Sequence, residues 1–281
     1  MAIARTACGG SAILPRVPGL LARRRAHQTV LVLRGPSPQP HHPLGLHLGS
    51  IVHYPSAGRE LVGLFAAPHG TALTDRGRAP ALLYLHGGWA LTDLDLLDCR
   101  PFLAAGFAVF APALRGENGN PGVHEMLYGE LDDALAALAW LRARGDVDRD
   151  RVFVFGYSAG GMLAALLALH PELDARLTGS ANGIYDTSVF DQQLIPFLDV
   201  PLERELRLLL PHVEELAQPH VACVGADDPG VSSAKRAAAR AAAAGLPFEL
   251  VITPGDHNAS VGPCIEAYLE RVLALIQRDC T

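Results

Sequence analysis

Cysteine is scarce in this chain of 281 residues, which contains only five, all widely spaced and none in a C-x-x-C pair. Such a pattern supplies neither the paired ligands of a zinc site nor a redox motif. We therefore expect a reducing compartment, a cytoplasmic location and no bound metal. The cysteines are Cys8, Cys99, Cys223, Cys264 and Cys280.

Long apolar runs and a positive net charge are also missing. The longest runs, such as 102–114, contain glycine and proline and are shorter than the roughly 20 residues of a membrane span, so we interpret them as core. The net charge of −6 argues against nucleic acid as the main partner. A hydrophobic content of 49% is enough to bury a large core in one domain.

Acidic residues are absent from the first 59 positions, which hold seven arginines. An arginine-rich start of this kind can be an organelle transit peptide, but transit peptides are usually rich in serine and amphipathic. A secretory signal is disfavoured because Pro15, Arg16 and Pro18 interrupt its only candidate apolar core. We interpret residues 1–47 as a poorly ordered arm, with organelle targeting as the alternative, and expect deletion of residues 1 to about 40 to leave activity and melting temperature nearly unchanged.

The stretch RVFVFGYSAGGMLAALLALH, residues 151–170, places a serine where a strand meets a helix. Gly156 and Gly160 flank Ser158 in a G-x-S-x-G pattern, which is typical of the nucleophile elbow of α/β-hydrolases. The free N–H groups of the following helix favour negative charge beside the hydroxyl. A helix N-cap would explain the serine alone, but not the paired glycines.

Strand and helix patterns alternate along the rest of the chain, which predicts an α/β fold with a mostly parallel sheet covered on both faces. Two β-rich runs within 50–68 predict an opening hairpin. The remaining predicted strands are 81–85, 107–114, 152–155, 220–225 and 248–253. The predicted helices end near 105, cover 129–145, follow Ser158, and cover 233–245 and 263–278.

Ligands of such sheets bind at the carboxyl ends of the strands. One predicted strand ends before Asp227 and Asp228, and the last ends before His257. The order Ser158, Asp228, His257 is that of α/β-hydrolases. We expect Ser158 to be the nucleophile, His257 its base and Asp228 the residue that orients the base. A surface loop histidine is the alternative for His257.

The strand at 81–85 is followed by HGGWA, whose glycines can bring backbone N–H groups close to a developing oxyanion. We expect Gly88 or Trp89 to form an oxyanion hole with Ala159. An ordinary glycine turn is the alternative. His86 is expected to fix this loop rather than to take part in catalysis.

The segment of about 185–218, which precedes the strand that leads into the acid loop, predicts a small helical cap over the site. Phe197 and Leu198 of this cap, together with Tyr157, are expected to contact the substrate. Small or medium acyl chains should then be preferred over long ones.

Other polar clusters carry weaker signals. Arg115 and Glu117 either lie near the site or belong to a solvated turn. His41, His42 and His47 have no metal-ligand spacing.

Several motifs together resemble the catalytic domain shared by prolyl oligopeptidase (S9) and dienelactone-hydrolase-like proteins. They are YLHGGWA, APALRGENGNPG, GELDDALAAL, VDRDRVFVFGYSAGG, GADDPGV and PGDHNA, and the resemblance covers about residues 50–278. The family places its acid in a G-x-x-D-x-x-V pattern, which Gly225, Asp228 and Val231 match. S9 peptidases carry a large propeller before this domain, whereas fewer than 60 residues precede it here. The resemblance implies a catalytic domain over 48–281, and this departure disfavours peptidase activity.

The sequence thus predicts a serine hydrolase that cleaves esters, or secondarily amides, of small molecules without a cofactor. A serine exopeptidase of prolyl oligopeptidase type that lacks the propeller is the alternative. A noncatalytic binding protein of the same fold is a third possibility, which the intact set of three residues argues against. The expected partner is a small ester or short peptide, neither membrane nor nucleic acid, and the oligomeric state stays open.

Overall fold

A computed structural model describes residues 19–40, 44, 49–68, 77–191 and 194–278. Within this part of the chain, eight strands form one sheet: β1 Ser50–Ser56, β2 Arg59–Ala66, β3 Ala79–Leu85, β4 Ala108–Pro112, β5 Val147–Tyr157, β6 Thr178–Ala181, β7 His220–Gly225 and β8 Phe248–Thr253. The α-helices are α1 Leu20–Ala26, α2 Asp93–Asp98, α3 Arg100–Ala104, α4 Gly129–Arg142, α5 Ala159–Leu167, α6 Pro201–Glu205, α7 Val231–Ala243 and α8 Val261–Arg278.

The strand order is β1-β2-β4-β3-β5-β6-β7-β8. β1 and β2 form the predicted antiparallel hairpin, and every pairing from β4 to β8 across the sheet is parallel. Both β3 and β4 are buried along their whole length, as expected for strands covered on two faces. The predicted α/β-hydrolase fold is confirmed.

Two hydrophobic clusters lie on opposite faces of the sheet. One contains the apolar sides of α4, α5 and α7, and the other contains those of α2, α3 and α8. Because neighbouring strands run parallel, the loops after β3, β5, β7 and β8 meet at one edge. The residues predicted for catalysis all belong to those loops.

Between residues 19 and 40 the structure differs from the expectation of a poorly ordered arm. Leu20 at the start of α1 is fully buried, and Leu31 forms an isolated β-bridge with Phe197. The physical reason is Glu203, which is 1% exposed and accepts hydrogen bonds from the Thr29 hydroxyl and the Val30 N–H. The segment therefore packs on the cap and does not extend the central sheet.

Short helical pieces make up the insertion between β6 and β7. They are the 3-10 turns Thr187–Phe190 and Leu210–Glu215 and the helix α6. Arg207 is fully buried beneath them and pairs with Glu203: Arg207 Nη1 lies 2.7 Å from Glu203 Oε2. The attraction between these two buried charges offsets the cost of removing each of them from water. The pair also fixes the cap against the N-terminal segment.

A disulfide bond joins Cys223 of β7 to Cys264 of α8. The two residues are 41 apart in sequence, and the packing of α8 on β7 brings their Cα atoms to 5.4 Å. Their spacing gave no sign of this pair, and such a bond is uncommon in the reducing compartment that the low cysteine count suggested. Cys99 is a buried free thiol.

Some predictions fall on residues that the structure does not describe. They concern Cys8, Cys280, His41, His42 and His47. Among the described residues, no three histidine, cysteine or acidic side chains are grouped as metal ligands would be. No helix in this part of the chain has both the length and the apolar character of a membrane span.

Candidate active site

Ser158 lies at the junction of β5 and α5 with a φ of 51°, a left-handed conformation that is strained for a residue with a side chain. The backbone around Ser158 is too crowded to accept a side chain at either flanking glycine. A Cβ on Gly156 would lie 2.1 Å from the Gly160 carbonyl oxygen, and a Cβ on Gly160 would lie 2.0 Å from the Leu85 carbonyl oxygen. Both glycines of the G-x-S-x-G pattern are thus required by the turn that projects Ser158.

His257 connects this serine to a buried carboxylate. Its Nε2 is 2.9 Å from Ser158 Oγ, and its Nδ1 is 2.5 Å from Asp228 Oδ2. Asp228 is 2% exposed and also accepts a hydrogen bond from the Gly230 N–H, whereas Asp227 is exposed. The structure therefore brings together the three residues that the sequence selected, and Asp228 rather than Asp227 contacts the histidine.

Two further side chains hold the backbone of His257. Asn182 follows β6 with a φ of 55°; its Nδ2 donates to the His257 carbonyl at 2.7 Å, and its Oδ1 accepts from the Gly225 N–H at 3.0 Å. The Tyr157 hydroxyl donates to the same His257 carbonyl at 3.1 Å. The acid loop and the base loop are thus linked through Asn182, for which the sequence carried no signal beyond a polar residue after a short strand.

The sequence predicts Tyr157 as a substrate contact; in the structure its hydroxyl holds the base loop. Burial raises the pKa of its phenol to about 12, so the hydroxyl remains a donor to the base loop at neutral pH. Its ring lies 5.3 Å from the His257 ring.

The predicted oxyanion turn, HGGWA at 86–90, follows β3. Gly88 has a φ of 67°, which a glycine adopts readily, and the Gly160 N–H donates to the His86 carbonyl at 3.1 Å, which ties the turn to the elbow. The Trp89 N–H donates to Gln39 Oε1 at 2.7 Å. Because the Trp89 N–H is engaged by Gln39, the N–H groups of Gly88 and Ala159 are the two remaining predicted donors of the oxyanion hole.

A buried ion pair supports this turn from below. His86 Nε2 is 2.9 Å from Glu117 Oε2, and both side chains are almost fully buried. Burial opposes the charged imidazole, but attraction and hydrogen bonding to Glu117 outweigh it and raise the pKa of His86 to about 9. Arg115 is likewise buried and pairs with Asp133. Of the two alternatives for Arg115 and Glu117, the solvated turn is excluded by this burial.

A cavity of about 440 Å³ opens beside Ser158. Its described lining consists mainly of apolar side chains with one carboxylate: Gly88, Trp89, Ser158, Ala159, Met162, Ile184, Ser188, Val189, Asp191, Pro229 and His257. The cap contributes through Ser188, Val189 and Asp191, which the sequence did not single out.

Phe197 and Leu198 are not among the described residues of that lining. Phe197 is fully buried, and the Arg207 guanidinium lies 3.9 Å from the centre of its ring. Leu198 is 43% exposed, and its N–H donates to the Val30 carbonyl. In the structure the N-terminal segment pairs with this part of the cap, and neither residue lies in the described lining of the cavity.

The chain is similar to several peptidases and related hydrolases. Residues 52–197, just over half of the chain, match the family described as X-Pro dipeptidyl-peptidase (S15 family). The uncharacterized peptidase YtmA of Bacillus subtilis is 32% identical over 158 residues, which are 54% of this chain and 56% of that protein. The chain thus spans little more than half the length of this relative.

Two solved structures illustrate the shared fold. A puromycin-hydrolyzing peptidase of Mycobacterium tuberculosis superposes with a TM-score of 0.66 at 21% identity, over 82% of this chain and 40% of that one. A protein of Klebsiella pneumoniae named as a dienelactone hydrolase superposes with a TM-score of 0.61 at 19% identity, over 82% of this chain and 98% of that one. The resemblance found in the sequence is confirmed, and the chain belongs to the S15 peptidase family within the α/β-hydrolase fold.

Proposed function

We propose that this hydrolase cleaves small carboxylic esters, and secondarily amides, through an acyl intermediate on Ser158. One observation carries the proposal: a strained serine at a cavity wall lies 2.9 Å from an imidazole nitrogen whose ring is held by a buried carboxylate. This is the arrangement by which a neutral hydroxyl becomes a nucleophile at neutral pH. A purely binding role, the third possibility, would not need it.

The chemistry follows from these positions. Ser158 Oγ adds to the substrate carbonyl carbon while His257 Nε2 takes the hydroxyl proton, and Asp228 stabilises the resulting imidazolium. The negative oxygen is bound by the Gly88 and Ala159 N–H groups, and the positive end of α5 favours it. His257 then gives the proton to the departing alcohol or amine. Water, activated by the same histidine, releases the acid and regenerates Ser158.

The cavity supports small or medium acyl groups. Met162, Ile184 and Val189 present apolar surface, and a volume of about 440 Å³ suits a compact ligand rather than a long chain. An ester with such an acyl group needs no binding contact beyond this apolar surface.

Peptide-like amides are the second candidate, and one residue favours them. The carboxylate of Asp191 lies in the otherwise mainly apolar lining, where it would attract the ammonium group of an aminoacyl substrate. The peptidase family match agrees with this candidate.

A fluorophosphonate label followed by a substrate panel tests the proposal. We expect Ser158 to take the label, and Ser158→Ala to keep its fold while losing turnover of p-nitrophenyl butyrate. Labelling at another residue, or an active alanine variant, would contradict the proposal. Aminoacyl p-nitroanilides belong to the same panel. If the second candidate holds, Asp191→Asn should lower kcat/KM about 10-fold for them while p-nitrophenyl butyrate is turned over as before.

A further inference from the structure

We propose that Gln39 is a positioning residue of the oxyanion turn and that residues 35–39 are a working part of the active site. The inference rests on the proposed function, since it concerns the N–H groups that bind the negative oxygen. Gln39 lies in the N-terminal segment that the sequence predicts to be dispensable.

Both polar groups of the Trp89 backbone are held by this one stretch. Gln39 Oε1 accepts a hydrogen bond from the Trp89 N–H at 2.7 Å, and the Ser37 hydroxyl donates to the Trp89 carbonyl. The Gln39 N–H in turn donates to Ser37 Oγ at 3.3 Å. The peptide between Gly88 and Trp89 and the peptide that follows Trp89 are thus both held by this stretch.

The stretch is itself anchored on the catalytic domain. The Ser37 N–H donates to the Gly116 carbonyl at 2.8 Å, and the His124 N–H donates to the Gly35 carbonyl at 3.0 Å. The Trp89 ring packs against the His124 ring with their centres 4.9 Å apart. Residues 35–39 therefore connect the loop after β4 to the oxyanion turn, so the position of that loop can influence the position of the turn.

Gln39 supports the turn without filling the site. Its Oε1 approaches so closely that a Cβ on Gly88 would lie 2.5 Å away, yet Gln39 is not among the described residues that line the cavity, whereas Gly88 and Trp89 are. The carboxamide therefore contacts the turn from outside the cavity.

A second carboxamide shows the same device two residues later. Asn118 accepts from the Leu91 N–H and donates to the Leu91 carbonyl, both at 2.9 Å. The turn is thus braced at Leu91 by the catalytic domain and at Trp89 by the N-terminal segment. Loss of the Gln39 acceptor would remove this hydrogen bond and let the Gly88–Trp89 peptide reorient, which would shift the adjacent Gly88 N–H, and small misplacements of catalytic donors are costly.

The test uses the full chain and Gln39→Met, which keeps the length of the side chain and removes the acceptor. We expect kcat for p-nitrophenyl butyrate to fall about 10-fold with KM little changed, less than the 10²–10³-fold that loss of an oxyanion donor itself costs. The Ki of an alkyl trifluoromethyl ketone, whose adduct on Ser158 carries an oxyanion, should rise by the same factor.

Arg34→Met is the matched control, because Arg34 is exposed on the same segment and should leave kcat and Ki unchanged. Fluorophosphonate titration counts competent Ser158 in each variant; no labelling of the natural chain would contradict the proposed function instead. With labelling intact, unchanged kcat and Ki in Gln39→Met overturn the inference, including when the melting temperature falls. A higher kcat also overturns it, since Gln39 would then obstruct the site.

Discussion

Two adjacent carboxylates after β7 differ in every property that matters for catalysis. Asp228 is buried and its Oδ2 lies 2.5 Å from His257 Nδ1, whereas Asp227 is exposed and its backbone N–H donates to the Gly255 carbonyl. The register of the loop decides which of them orients His257. The G-x-x-D-x-x-V resemblance pointed to the same residue.

This pair provides a matched comparison at the scale of one side chain. Asp228→Asn should leave the fold intact and impose the wrong tautomer on His257, which lowers kcat by roughly 10⁴-fold, as in the known serine-protease example. Asp227→Asn should change kcat little. Steady-state kinetics of both variants with one p-nitrophenyl ester measure this, and a severe loss confined to Asp227→Asn would refute the assignment.

At the scale of elements, the cap and the oxyanion turn each meet the site through a few side chains. The 3-10 turn Thr187–Phe190 brings Val189 to the cavity, opposite the apolar face that α5 presents through Met162. Chain-length preference should therefore depend on Val189 rather than on the buried Phe197.

Val189→Ala should widen the acyl pocket. Each additional methylene that the pocket can bury is worth about 0.8 kcal/mol, so the ratio of kcat/KM for p-nitrophenyl octanoate over butyrate should rise roughly 10-fold. Leu194→Ala, at a cap residue that is 73% exposed, is the control and should leave the ratio unchanged. An unchanged ratio in Val189→Ala would place the acyl group elsewhere.

The His86–Glu117 pair should make stability depend on pH. The folded pKa of about 9 lies above the unfolded value of 6.5, so the folded chain holds this proton more tightly. The resulting stabilisation is complete below pH 6.5 and is lost as the pH rises through 9; its size is on the order of 3 kcal/mol.

Urea denaturation at several pH values between 6 and 9 measures this contribution. The free energy of unfolding of the natural chain should decrease across the range. His86→Gln keeps a hydrogen-bond donor for Glu117 but does not titrate, so its decrease should be clearly smaller. Equal slopes in the two proteins would show that other groups cause the dependence.

At the scale of the whole molecule, the N-terminal segment links the cap to the catalytic domain. Glu203 receives three hydrogen bonds from it, from His27, Thr29 and the Val30 N–H, and Glu215 accepts one from the Leu20 N–H. Because of these contacts, we no longer expect the first 40 residues to be dispensable.

Removal of residues 1–33 should destabilise the protein by about 2 kcal/mol or more, a fall in melting temperature of roughly 4–8 °C. Glu203 then keeps Arg207 but loses the three hydrogen bonds from the segment, and the buried packing of Leu20 is lost with the residue itself. A chain that begins at residue 19 keeps all of these contacts and is the control. Calorimetry of the two chains decides between the packed segment and the dispensable arm, since equal melting temperatures would restore the latter.

The sequence by itself determined the α/β fold and the three residues Ser158, Asp228 and His257. These features have local causes: alternating strand and helix periodicity, glycines around one sharp turn, and loops that must follow particular strands. Boundaries were less well defined; β5, for example, begins at Val147 because it pairs with Ala79, which no local pattern records.

Only the tertiary structure decided the contacts between residues distant in sequence. Gln39 on Trp89, Asn182 on His257 and the Cys223–Cys264 bond join segments that local patterns treat separately. Phe197 looked like a pocket residue because it is a large apolar side chain in a cap, yet its surroundings bury it away from the cavity. An apolar residue gains free energy from any burial, so its sequence position cannot say which apolar surface it will join.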